Sequence, residues 1–255
     1  MKPTKVQSNL FYEEFGRGDT LCLLHGFLEN RKMWLPFIEQ LSLNNHIIIV
    51  DLPGHGNTEV LSGDNTMSKM AVALQDLFDK LGVTQVKFVG HSMGGYVALA
   101  FAALFPEKTM GVCLLNSTPE ADTDARKELR QHGIAVAQKN YKAMISMSVA
   151  NLFSKELRVK FKEEISYTKE EALKTPIEGY IACQNGMSLR FENTVLWKQA
   201  HFKKWMILGD QDTLISAEKM QENFDDFDVE INVLAGGHML TIENFDAVLA
   251  LLLNF

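Results

Sequence analysis

Residues 86–107 read VKFVGHSMGGYVALAFAALFPE. The stretch opens like a β-strand, stops at Gly90, and resumes at Met93 as an apolar pattern of helical length. One serine, Ser92, sits in the break. A strand that runs almost directly into a helix leaves room only for a sharp, strained turn. Small residues are then required two positions to either side of the serine, and Gly90 and Gly94 supply them. Such a turn lifts the hydroxyl above the edge of a sheet. It also brings the Met93 N–H and the positive end of a helix beside any oxygen that becomes negative. The same residues would suit a serine that merely caps an ordinary helix, so the reading depends on what else the chain supplies.

Outward from this stretch, the chain carries further short apolar runs: LCLLHG (21–26), HIIIVDLPG (46–54), GVCLLNS (111–117) and WMILGDQD (205–212), with a more polar VEINVLAGGH at 229–238. Their near-continuous hydrophobicity predicts strands buried on both faces, hence a mainly parallel sheet under helices. Helical patterns over 67–81, 93–105 and 217–224 alternate with them, as right-handed crossovers of an α/β sheet require. The segment SNLFYEEFGRG (8–18) reads as an edge strand ending in a glycine turn. Between 119 and 190 the alternation fails. That stretch is helix-prone, laced with charge and slightly richer in Lys and Arg than in Asp and Glu. It is too long for a crossover and is expected to be a helical lid, dividing the chain into a core (1–118 and 191–255) and a subdomain (119–190).

Composition narrows the function. The 255 residues are 46% hydrophobic and 22% charged, with a net charge of -7, which argues against an electrostatic grip on nucleic acid or an anionic membrane. No apolar run is long enough to span a bilayer, and the first ten residues lack the apolar stretch of a leader. Cys22 and Cys113 lie inside apolar runs, and no CxxC or Cys/His metal spacing occurs. A cytoplasmic protein without cofactor or metal is the expectation.

A serine is a poor nucleophile at neutral pH and needs a base, which in turn needs an orienting carboxylate. His238 follows one strand in the loop GGHM, and Asp212 follows another in the loop GDQD. Both then lie on the same edge of a parallel sheet as Ser92, in the chain order Ser, Asp, His. Asp210 competes for the carboxylate role, with Asp212 favoured because it reaches further beyond the strand tip. A second oxyanion donor is expected from the loop after LCLLHG, where the Phe27 N–H can face that of Met93. His25 is expected to hold that loop, His55 to shape the pocket wall and His91 to face away beside the serine. His46, His132 and His201 read as surface residues.

Together LLHGF (23–27), DLPGHG (51–56), GHSMGG (90–95), GDQD (209–212) and GGHM (236–239) resemble, in order and spacing, the α/β-hydrolase fold superfamily. The resemblance covers nearly the whole chain. It implies Ser92 as nucleophile, Asp212 as acid, His238 as base, Phe27 and Met93 as oxyanion donors, and a helical cap inserted after the sixth strand. Within the superfamily the pattern looks most like small cytosolic esterases and the menaquinone-pathway synthase that eliminates pyruvate. The synthase group usually shows an arginine where this chain has Tyr96. The serine excludes the dehalogenases and epoxide hydrolases of similar pattern, which use an aspartate nucleophile.

The expected reaction is cleavage of a small or medium carboxylic ester through an acyl-enzyme. A lyase or carbon–carbon hydrolase using the same triad would want cationic groups for an anionic substrate, and Arg126, Arg130 and Arg190 are the candidates. A receptor-like protein that binds a ligand and hydrolyses it slowly is a third possibility.

Overall fold

The computed structural model describes residues 9–61 and 63–255. The expectations about a leader and about the first residue of the edge strand fall on residues 1–8, outside the described residues. In chain order the strands are β1 (Tyr12–Phe15), β2 (Asp19–Leu24), β3 (Asn45–Val50), β4 (Val86–His91), β5 (Thr109–Leu115), β6 (Lys203–Gly209) and β7 (Glu230–Leu234). They form a single seven-stranded sheet of order β1-β3-β2-β4-β5-β6-β7. Every pairing is parallel except β1 with β3.

Period-2 alternation divides each inner strand between two cores. On β2, Cys22 and Leu24 pack with Ile48, Phe88, Val112 and Met206 under one set of helices. Leu21 and Leu23 pack with Ile47, Val89, Cys113 and Ile207 under the other. Both faces are therefore apolar, which is why these strands read as continuous hydrophobic runs.

The first set of helices is α2 (Met67–Leu81), α3 (Met93–Leu104) and α8 (Ala217–Phe224), and the second is α1 (Leu35–Leu41) and α10 (Phe245–Leu252). The remaining helices are α4 (Asp124–Leu152), α5 (Lys162–Ala172), α6 (Ile177–Ser188), α7 (Thr194–Gln199) and the one-turn α9 (Leu240–Glu243). The chain leaves β2 through α1 on one face, and leaves β3 through α2 on the other face to reach β4. Because β2 and β4 are neighbours, the loops at their carboxyl ends diverge to opposite sides. A crevice opens there, the usual ligand position of an open parallel sheet.

Helices α4, α5, α6 and α7 all fall between β5 and β6. The first three carry a hydrophobic cluster of their own, built on Ile134, Ile145, Val149, Phe153, Phe161, Ile165 and Tyr180 and closed from the sheet side by Leu28 and Met239. Helix α6 also sends Cys183 and Met187, and α7 sends Trp197, into the core of the sheet. The insertion follows the fifth strand counted from Tyr12, whereas the ordinal carried by the resemblance was the sixth. Helix α4 is broken at Asn140 (φ -152, ψ 78), whose side chain accepts from the Ala143 N–H and restarts the helix.

Candidate active site

Ser92 stands between β4 and α3 with φ 50 and ψ -113, a backbone conformation costly for any residue with a side chain. Close packing on all sides enforces it. A Cβ at Gly90 would run into the backbone of Gly94 and Gly95, and one at Gly94 into the carbonyl of Leu24. The turn is further pinned by hydrogen bonds to β5 and its exit. The Ser92 N–H donates to Leu115 O at 3.0 Å and the Ser117 hydroxyl donates to Ser92 O at 2.8 Å.

His238 leaves β7 on a glycine pair, and its Nδ1 lies 2.7 Å from Asp212 Oδ2. The Asp212 carboxylate is fully shielded and every lone-pair direction is used. Oδ2 also accepts from Asn116 Nδ2 at 2.9 Å, and Oδ1 accepts from the N–H groups of Leu214 and Ile215 at 2.8 and 3.1 Å. Burial alone would push the Asp212 carboxyl up; the His238 imidazole and these donors outweigh it and hold the group below the ordinary carboxylate range. An ionised Asp212 fixes the His238 tautomer with its proton on Nδ1, leaving Nε2 to accept one. Asp210, the competing carboxylate, instead accepts from the Gly236 N–H at 2.9 Å and shapes the glycine turn.

Ser92, His238 and Phe27 all line one cavity of about 330 Å³, together with Tyr96, Met144, Val149 and Tyr180. Asp212 sits behind His238. Met93 is the first residue of α3, so its N–H has no acceptor within the helix. A larger cavity, about 430 Å³, lies beyond Leu28 and Glu29 but contains neither Ser92 nor His238. The residues with chemistry belong to the smaller one.

The loop bearing Phe27 is held by two buried histidines. His25 donates from Nδ1 to Gly26 O at 2.7 Å and accepts the Leu52 N–H on Nε2 at 2.9 Å, so its bonds are satisfied by the neutral ring, the form that burial favours. His55 accepts the Leu28 N–H at 3.1 Å, and burial pushes its pKa down to about 3. Both are neutral fasteners. The loop itself is strained, with Leu28 at φ 66.

His91 differs from its expectation. Rather than facing away, it is buried on the cavity wall, with Nδ1 2.7 Å from Glu29 Oε2 and Nε2 2.9 Å from His238 O. Glu29, Asn116, Ser117 and Glu243 are site residues that the sequence reading did not single out. Glu243 accepts the Gly237 N–H at 2.9 Å and the Ser154 N–H at 2.8 Å, while the His238 N–H donates to Leu152 O at 2.8 Å. The loop bearing His238 is thereby tied to the end of α4. Asn116 and Ser117 had a faint signal, as polar residues immediately after an apolar strand.

Of the three arginines, Arg126 and Arg130 line the cavity of Ser92, and Arg190 stacks over the Tyr96 ring at 4.1 Å. All three surround the single buried carboxylate of Asp122. Arg130 hydrogen-bonds it directly, Arg190 Nη1 lies 2.5 Å away, and Arg126 Nε lies 3.8 Å away, outside hydrogen-bond range. Burial alone would raise the Asp122 carboxyl; Arg130 and Arg190 outweigh it and hold it low, so one negative charge faces three positive ones.

Residues 19–245 match the family model described as the alpha/beta hydrolase fold. The chain belongs to the α/β-hydrolase family. One relative is the (E)-2-((N-methylformamido)methylene)succinate hydrolase of Acinetobacter baylyi, 29% identical over 127 residues. That match covers 50% of this chain and 48% of the relative, so the chain spans about half the length of the curated relative it matches. Among solved structures, a thermophilic esterase from Thermogutta terrifontis with malate bound superposes with a TM-score of 0.91 at 26% identity, covering 97% of this α/β hydrolase and 94% of the esterase. The enol-lactonase of Burkholderia xenovorans LB400 superposes with a TM-score of 0.90 at 19% identity, over 98% of each chain, and shares the fold.

Proposed function

We propose that this α/β hydrolase is a serine hydrolase that cleaves small or medium carboxylic esters through an acyl-enzyme. The observation that carries the reading is the buried Asp212–His238 pair at 2.7 Å, opening on the cavity that Ser92 also lines. His238 takes the Ser92 proton on Nε2 as the serine oxygen attacks the ester carbonyl. The N–H groups of Phe27 and Met93 hold the oxyanion, and His238 returns its proton to the departing alcohol. Water repeats the sequence on the acyl-enzyme, and Asp212 stabilises the imidazolium formed twice per cycle. Residues 119–190 act as the lid, since Met144, Val149 and Tyr180 reach the cavity from the insertion. The three cysteines are buried and unpaired, in keeping with a cytoplasmic enzyme.

A second reading, a lyase or carbon–carbon hydrolase acting on an anionic substrate, is favoured by the arginine wall. Arg126 and Arg130 face the cavity, and Asp122 balances only part of their charge. The Acinetobacter relative is named for a substituted succinate, and the Thermogutta esterase was solved with malate. A panel of p-nitrophenyl esters of graded chain length, each with a carboxylate-bearing counterpart, separates the two. Ester turnover with trapped acyl-enzyme, abolished in Ser92→Ala, supports the first reading. Turnover of carboxylate-bearing carbon–carbon substrates without an acyl-enzyme supports the second.

A further inference from the structure

The ring of His91 makes two hydrogen bonds, one to a carbonyl that can only accept and one to a carboxyl group that only accepts when ionised. Nδ1 meets the carboxylate of Glu29 at 2.7 Å and Nε2 meets the carbonyl of His238 at 2.9 Å. A neutral ring meets both only if Glu29 is protonated on Oε2, the oxygen that already accepts a main-chain N–H; with Glu29 ionised, the doubly protonated ring satisfies both. Glu29 supplies the counter-charge. Its Oε2 also accepts the Gly26 N–H at 2.6 Å, immediately before Phe27. The side chains are 1% and 6% exposed, so a charge on either demands the other beside it.

Three segments meet here that are remote in sequence: the loop after β2, the last residue of β4 ahead of Ser92, and the loop after β7. We propose that Glu29 and His91 form a buried ion pair that locks the oxyanion loop, the nucleophile turn and the His238 main chain into one rigid unit. The proposal rests on the serine-hydrolase reading of the same cavity. Neither residue takes part in proton transfer to substrate; both are positioning residues. Packing agrees, because a Cβ at Gly26 would lie 2.8 Å from His91 Nδ1 and collide with the Glu29 carboxylate, so only glycine permits this approach. The ionisation directions agree as well. Burial alone would lower the His91 pKa, and Glu29 overrides it to raise it; burial alone would raise Glu29, and His91 overrides it to lower it.

Glu29→Gln keeps the shape and the acceptor but removes the charge. The ring then loses a proton and one of its two bonds, and the His238 loop or the oxyanion loop is released. Misplacement of a reacting group by about 1 Å costs on the order of 100-fold. The expected result is a fall in kcat of roughly 10- to 100-fold per fluorophosphonate-titrated serine, with KM within about threefold of wild type. Histidine ¹⁵N NMR should show both His91 ring nitrogens protonated in the wild type and only one in Glu29→Gln. In a cycle of Glu29→Ala, His91→Ala and the double variant, the double should lose no more than the worse single. A neutral His91 in the wild type, additive losses, or a Glu29→Gln kcat within threefold of wild type each overturns the pair. The NMR signature is read on unmutated protein and so decides even if a variant folds poorly. Ser92→Ala, run alongside, separates the two levels: if it retains turnover, the serine-hydrolase reading falls, whereas its inactivity beside an unaffected Glu29→Gln removes the pair alone.

Discussion

Ser92 enters its cavity from the buried strand β4 and His238 from the parallel edge strand β7, each on a turn fastened by several main-chain and side-chain bonds: Ser117 and Leu115 for the first, Asn116, His91 and Glu243 for the loop of the second. Met144, Val149 and Tyr180 enter the same cavity from helices whose apolar residues pack chiefly on one another, one of them broken at Asn140. Leu129, Met147 and Val159 in that region are exposed. A reaction requires groups held to within a fraction of an ångström, which these fastenings supply. Selection among substrates needs a wall that can vary, which adaptable methionine side chains such as Met144 supply. On the proposed reading the two regions divide the labour between chemistry and choice.

The largest expected effect lies on the strand side. Asp212→Asn leaves the shape intact but loses the charge that fixes the His238 tautomer, and kcat should fall by about 10⁴-fold. Asp210→Asn keeps an oxygen for the Gly236 N–H and should stay within about threefold of wild type, against the roughly 10⁴-fold loss expected for the orienting carboxylate. Equal losses in the two would erase the assignment of the acid. Asp212 also links stability to pH. Its folded pKa is depressed, so it contributes stability above the ordinary aspartate value of about 3.9, and that contribution disappears as pH falls through the lower folded value. Melting temperatures of wild type and Asp212→Asn should therefore differ at neutral pH and draw together as pH falls through the depressed folded value.

A smaller, selective effect is expected on the insertion side. Arg126→Ala should raise KM for carboxylate-bearing esters by roughly tenfold, the worth of one exposed charge-assisted bond, and leave neutral esters unchanged. A uniform loss across both ester types would place Arg126 in the scaffold instead of the selective wall.

What the sequence disclosed follows the same division. The runs 21–26, 46–54, 86–92, 111–117 and 205–212 became β2 to β6 because burial on both faces forces unbroken hydrophobicity, a pattern visible locally. Ser92 and Asp212 were legible as polar residues just past such runs, and His238 by the glycine pair that ends the more polar segment 229–238. The short α1 and the terminal α10 escaped notice: one is a seven-residue helix, and the other is so apolar that it lacks a polar face to mark its period. The break at Asn140 left no pattern either, since an asparagine at a helix restart resembles any other polar residue on a helical surface. Least legible were the fastenings across the fold, Glu29 to His91 across 62 positions and Asn116 to Asp212 across 96. Side chains that meet only after folding leave no periodicity behind them.

The central claim is that the Ser92 hydroxyl is made nucleophilic by the His238–Asp212 pair. Labelling with a fluorophosphonate, followed by peptide mass spectrometry, tests it most directly. One adduct per chain on Ser92 is predicted, formed rapidly by wild type, orders of magnitude more slowly by His238→Ala, and not at all by Ser92→Ala. Undiminished labelling of Ser92→Ala, or equal rates for wild type and His238→Ala, would contradict it.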